Sequence, residues 1–173
     1  LLNSHDGTSS YPMLAGMFRF VCQNGLVCGD TFADVRVPHK GNVTDHVIEG
    51  AYEVLQGFEQ VQHSRDAMGA ITLDDGEAEV FARSALTLKY DDPGKTLPIT
   101  ESQVLRPRRF DDNRSDLWST FNRVQENLVK GGLTGRTANG RQQRTRPVQG
   151  IDQIVRLNRA LWLLAEGLRQ LKA

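Results

Sequence analysis

Residues 116–150 read DLWSTFNRVQENLVKGGLTGRTANGRQQRTRPVQG, and the change of character at Gly131 organises the whole chain. Up to Lys130 the apolar residues follow a helical period. Leu117, Phe121, Val124 and Leu128 fall on one stripe, with Trp118 at its margin. From Gly131 the period is lost. Gly131-Gly132, Gly135 and Asn139-Gly140 are expected to keep the connector to Gln149 out of regular structure. Loops this long inside a compact domain are usually functional or disordered. Beyond it, Ile151–Leu171 carries a second helical stripe of Ile151, Ile154, Leu157, Leu161, Leu164, Leu168 and Leu171. Two antiparallel helices joined by an Arg-rich loop are the expected C-terminal part.

Towards the N-terminus, Thr100-Glu101-Ser102-Gln103 is a capping-box pattern that opens a short helix, ended by Arg106-Pro107-Arg108-Arg109. A helix is expected from Val43 to about Ile71, with Val47, Ala51, Val54, Leu55, Phe58 and Val61 at helical spacing. Thr72–Gly76 breaks it, and a second helix carries Val80, Phe81, Ala85 and Leu88. The first 41 residues are strand-like instead. FRFVCQNGLVCG (Phe18–Gly29) places Asn24-Gly25 between two apolar runs, a hairpin signal because both central residues of a type I′ turn need positive φ. That turn pairs Gln23 with Leu26, Cys22 with Val27 and Val21 with Cys28. The thiols then point to opposite faces, poor geometry for a disulfide. Asp34–His39 alternates and reads as a further strand ended by Pro38.

The fold class expected is α+β, an N-terminal antiparallel β-hairpin sheet packed against four to five C-terminal helices. The 173 residues suit one domain, with a β-rich part (1–41), a helical part (42–105) and a basic helix-loop-helix part (106–173). The opening Leu1-Leu2-Asn3 reads like the end of a strand, so the chain is expected to be a fragment of a longer protein. No apolar run approaches the roughly 18–20 residues of a membrane span.

A net charge of zero hides an asymmetry. Residues 1–100 hold 7 Lys and Arg against 14 Asp and Glu, and residues 101–173 hold 14 against 7. Such a split suits an anionic partner or a homo-oligomer whose unlike faces attract. Twelve of the 14 C-terminal cations are Arg, the better fork for phosphate. Arg136, Arg141, Arg144 and Arg146 of the connector, beside Arg108 and Arg109, are the expected nucleic-acid contacts. The connector contains no Lys and no P-loop pattern.

Other constellations carry less. Asn122, Gln125 and Glu126 on one helix and Arg156, Asn158 and Arg159 on the next suit a buried polar network that fixes register. Glu126 is placed to hold an Arg across that interface, and an active site is the sharper alternative. Cys22 and Cys28 supply two ligands at an awkward spacing, and His5, His39, His46 and His63 lack paired spacing, so neither metal nor cofactor is expected. His5-Asp6 sits in a turn-rich stretch, where adjacency alone does not orient a base.

Taken together, NSHDGTSSY, FRFVCQNGLVCG, VRVPHKGNV with VIEGAYEV, LWSTFNRVQENLVKGGLTGR and the closing LNRALW resemble the domain-of-unknown-function 932 family. This is the phage/plasmid-like group that includes YafZ/YfjQ-like proteins. The resemblance covers essentially the whole chain and implies a cytoplasmic setting on prophages or plasmids. It carries no catalytic residue. A sheet backed by helices with a basic loop is also similar in outline to Rad52-type annealing proteins, a fold-level analogy. The expectation is therefore a non-enzymatic nucleic-acid-binding protein, for single-stranded DNA binding or annealing in recombination. A protein-interaction or anti-defence module is the alternative. A hydrolase or nuclease using His5, Asp6 or Glu126 is the least favoured.

Overall fold

The computed structural model describes residues 11–13, 16–17, 26–27, 35–37, 43–90, 97–136 and 139–173. Contacts along the chain cluster into two compact units, Leu1–Ser64 and Arg65–Ala173. What is described is mostly helical, with antiparallel strand pairs.

In the first unit, β1 (Tyr11–Met13), β2 (Gly16–Met17), β3 (Leu26–Val27) and β4 (Val35–Val37) form two separate pairs. Tyr11 lies opposite Val37, and Met13 opposite Val35. The second pair corrects the sequence register: Leu26 faces Met17 and Val27 faces Gly16, not Gln23 and Cys22. Residues 18–25 therefore separate the paired strands, where a two-residue turn was expected. A turn dipeptide expresses a local preference only, and strand pairing overrides it. Cys22, Cys28, Asn24-Gly25 and the His5-Asp6 pair lie outside the described residues.

Helix α1 spans Val43–Ala70, as its period requires, and the boundary between the units falls within it. In the second unit the chain leaves α1 through a short β-bridge of Thr72 with Asp116. Leu73 N–H donates to Ser115 O and Leu117 N–H to Ile71 O, each at 2.8 Å. Helix α2 (Asp75–Lys89) then opens on a reciprocal capping box. Glu77 N–H donates to Asp74 Oδ1 at 2.8 Å and Asp74 N–H to Glu77 Oε2 at 3.0 Å. It buries Phe81, Ala82, Ala85 and Leu86. Val80 and Leu88, expected on the same stripe, are exposed, so α2 presents a narrower face to the core.

Helix α3 (Glu101–Val104) begins as the capping-box pattern requires, the Gln103 side chain accepting the Thr100 N–H at 2.9 Å. A 3-10 turn at Phe110–Asp112 leads to α4 (Leu117–Lys130), whose first turn is capped by Asp116 accepting Ser119 N–H at 2.8 Å. Helix α5 runs Ile151–Lys172. Helices α2, α4 and α5 all touch one another, with α3 against α2 and α4.

Between them Phe81, Leu86, Leu117, Phe121, Val124, Leu128, Leu161 and Ala165 are buried. Trp118, Phe121 and Trp162 form an aromatic cluster: Trp118 stacks on Phe121 at 5.7 Å, and Trp162 meets Phe121 edge-on at 5.9 Å. Each such ring removed from water stabilises the layer by about 1.5–3 kcal/mol.

The connector departs from expectation. It is a β-ribbon, with β5 (Thr134–Arg136) antiparallel to β6 (Gln142–Arg144). Thr134 pairs with Arg144 and Arg136 with Gln142. Its glycines admit this structure. Gly131 ends α4 at φ 60°, where a Cβ would meet the Arg146 backbone at 2.6 Å. Gly135 lies so close to Pro98 that a Cβ would stand 1.8 Å from the Pro98 carbonyl oxygen. Glycine inside a strand marks such a close backbone approach.

Candidate functional site

The ribbon is fastened at its base by backbone. Gly132 N–H donates to Thr145 O, Thr145 N–H to Leu133 O and Val148 N–H to Val129 O, each at 2.8 Å. The Thr145 hydroxyl is buried and accepts Leu133 N–H at 3.0 Å. From the side, Arg136 N–H donates to Pro98 O at 3.0 Å and the Gln103 amide to Thr134 O at 2.6 Å. Arg136, Arg141, Arg144 and Arg146 are all exposed, and residues 131–150 contain no Asp or Glu. Arg144 Nε reaches the Gly132 carbonyl at 3.3 Å.

Beneath the ribbon lies a cleft of about 610 Å³, walled by the end of α2, the strap Gln143–Val148 and the first half of α5. Lys89, Arg144, Arg146 and Arg156 line it, and no carboxylate does among the described residues. Lys89 Nζ donates to the Leu128 carbonyl and stands 5.1 Å from the centre of the Tyr90 ring. Burial disfavours its charged form and lowers the ammonium to about 8. Burial likewise raises the Tyr90 phenol.

The remaining predicted residues have structural partners. Arg108 Nε donates to Asn127 Oδ1 at 2.5 Å, and its Nη2 donates to the Gly131 carbonyl. The Asn127 amide in turn donates to Val104 O and Arg106 O, both at 2.8 Å. A guanidinium there also suits the negative end of the α4 dipole. Arg109 holds Glu126 with two nitrogens: Nη2 donates to Oε1 at 2.8 Å and Nε to Oε2 at 3.1 Å. Lys130 Nζ donates to Glu126 Oε1 at 2.6 Å. The Arg109 and Glu126 side chains are only 14% and 6% exposed. Burial favours the protonated acid, yet Arg109 and Lys130 outweigh it and hold Glu126 below the usual carboxylate range. One arginine on Glu126 thus comes from the segment before α4, and Arg108 and Arg109 both bond within the fold.

Of the polar network, Gln125 and Asn158 do meet, Nε2 donating to Oδ1 at 3.1 Å in the α4–α5 interface. Asn122 bonds back to Trp118 O at 2.7 Å. Arg156 is exposed on the cleft, and Arg159 is half-buried.

Two residues escaped the sequence reading. Phe110 is 93% exposed, next to Arg109. An aromatic closing the run Arg106-Pro107-Arg108-Arg109 was its available signal. Lys89 had none, because its burial comes from segments distant in sequence.

Two further cavities frame the alternatives. An apolar groove of about 920 Å³ runs between α2 and α5, with exposed Val80, Leu163 and Leu171 on it. A smaller one of about 410 Å³ is lined by Asp74, Asp75 and Glu79 together with Arg106 and Arg123. Asp74 there is occupied in capping α2. Among the described residues no helix is long and apolar enough to cross a membrane.

A three-helix layer bearing a rooted basic ribbon between its last two helices is the class of structure defined here. The chain belongs to the family described as Domain of unknown function (DUF932), whose model matches residues 1–162. It is 59% identical over 168 residues to the UPF0380 protein YfjQ of Escherichia coli (strain K12), and 58% identical over 168 residues to the UPF0380 protein YafZ of the same organism. Each alignment takes in 97% of this chain and 61% of the relative, so the chain spans about three fifths of their length. No solved structure matches it.

Proposed function

We propose that this protein binds nucleic acid without catalysing a reaction, holding the phosphate backbone of single-stranded DNA on the arginine ribbon. One observation carries the reading: Arg136, Arg141, Arg144 and Arg146 are exposed on a ribbon that backbone bonds already hold, with no acid between residues 131 and 150. Arginine there neutralises phosphates and releases counterions. The exposed ring of Phe110 supports it, since bases stack on aromatic side chains whatever their sequence. In this reading the protein acts in the cytoplasm, in recombination of a prophage or plasmid. Several copies assemble along the strand.

The test is fluorescence anisotropy with labelled single- and double-stranded DNA across a salt series. Replacing Arg136, Arg141, Arg144 and Arg146 together by Ala should abolish most binding at low salt. Each single change should reduce the salt slope by about 0.7–0.9 for every phosphate left without its arginine, alike for all sequences. A quadruple variant that melts normally and binds as tightly as the parent overturns the proposal. The apolar groove between α2 and α5 favours a second reading, a protein-interaction module. That reading takes precedence if neither form of DNA binds.

A further inference from the structure

The cleft under the ribbon has a chemistry that backbone tracking does not require. It is concave, and its roughly 610 Å³ falls in the range of small-ligand sites, about 300–1,000 Å³. Cationic residues from three segments line it: Lys89 from the end of α2, Arg144 and Arg146 from the strap, Arg156 from α5. We propose that this cleft is a binding site for a phosphate monoester, with Lys89 at its floor and Arg146 and Arg156 on its walls.

The argument begins with Lys89. Its ammonium is half-buried, its polar contact is the neutral Leu128 carbonyl, and among the described residues no carboxylate faces it. A half-buried cation that meets no carboxylate among the described residues is costly, and a bound anion removes that cost. Among the described residues the titratable groups lining the same cleft are the Tyr90 phenol, Arg144, Arg146 and Arg156, none of them an anion source near neutral pH. A monoester suits this concentration of charge better than an internal diester. It carries about −1.5 to −2 at pH 7 and offers three acceptor oxygens, against a single charge on a diester. Pro98 and Leu157 give the cleft an apolar side for whatever the phosphate is attached to.

Two sources present the same group: a free nucleotide, or the terminal phosphate of a strand. The second rests on the nucleic-acid reading and the first does not.

The test is calorimetric titration of the chain with AMP, adenosine and inorganic phosphate, beside anisotropy with one oligomer bearing a 5′-phosphate, a 3′-phosphate or no terminal phosphate. AMP should bind and adenosine should not. Lys89→Met and Arg156→Gln should each weaken AMP roughly tenfold or more, the loss expected for one charge-assisted hydrogen bond. Binding should also weaken between pH 7 and pH 9 in the parent, as Lys89 loses its proton, and much less in Lys89→Met. Arg156 is exposed, so Arg156→Gln keeps the test valid if Lys89→Met melts early.

Tighter binding of one phosphorylated oligomer than of its unphosphorylated twin identifies a strand end. Equal oligomers with AMP bound identify a free nucleotide. Failure of AMP and phosphate to bind, or binding that neither variant alters, overturns the inference. If oligomers still bind regardless of their ends, the nucleic-acid reading survives that failure. AMP binding without any oligomer binding supports the cleft and overturns the nucleic-acid reading instead.

Discussion

Helix α4 and the ribbon after it are consecutive in the chain and both rich in polar side chains, yet they turn them in opposite directions. In α4, Asn122, Gln125, Glu126 and Asn127 are all buried, and side chains hold the structure together. Asn127 ties Val104, Arg106 and Arg108 to the helix, Glu126 binds Arg109 and Lys130, and Gln125 reaches Asn158. In the ribbon the tying is done mainly by backbone, with Thr145, Gln103 and Arg144 adding side-chain bonds, and its arginines are exposed. Polar groups spent inside the fold leave fewer donors for a partner. The contrast sets Arg109, half-buried on Glu126, apart from the exposed arginines beyond Gly131, with Arg108 between them, exposed yet bonded to Asn127 and Gly131.

Mutation can break this comparison from either end. The largest effect belongs to the aromatic cluster that supports α4. Phe121→Ala or Trp162→Ala should destabilise the second unit by about 3–5 kcal/mol in urea unfolding, because both rings are buried between helices.

Next comes Arg109→Ala, which takes a two-nitrogen guanidinium partner from the buried Glu126 carboxylate and should cost about 2–3 kcal/mol at pH 7. The sign of its pH dependence follows from the lowered Glu126 pKa. In the parent this stabilisation is complete above the unfolded value of about 4.3 and is lost as pH falls through the folded value. Urea titrations from pH 7 to pH 3 should therefore show a steeper acid loss in the parent than in Arg109→Ala. Equal acid limbs would mean that the pair is not coupled to folding.

A smaller effect belongs to Lys89, whose ammonium is lowered in the folded state. Between about pH 8 and the unfolded value of about 10.4 the unfolded chain binds more protons, so this residue makes stability rise with pH. Partial exposure screens the effect to the order of 1 kcal/mol. Lys89→Met should remove the rise, as thermal melts at pH 7.5 and 9.5 would show. The ribbon arginines should matter least to stability, within about 0.5 kcal/mol for each exposed loop substitution.

The helices were legible because their periods are long. The 14 residues of α4 and 22 of α5 keep an apolar stripe, and Thr100 and Gln103 announce α3. The ribbon was not, because what stabilises it is tertiary: Pro98 beside Gly135, and Arg146 backbone against Gly131. Those glycines looked like breakers and are instead points of close approach. Arg109 and Glu126 were both singled out, but for different tasks, since the turn that joins them at Phe110–Asp112 leaves no periodic trace. The pairing of Met17 with Leu26 was hidden by the stronger local signal of Asn24-Gly25.

The seat of Gly135 on Pro98 works like the pivot of an aimed instrument. With its backbone pressed against the Pro98 carbonyl, the strand is held in place, and the Arg136 side chain leaves it from a fixed point. A single methyl inserted there would act as a wedge. The arm would keep every charge it carries and lose its direction, so composition and aim are separately encoded at this one residue.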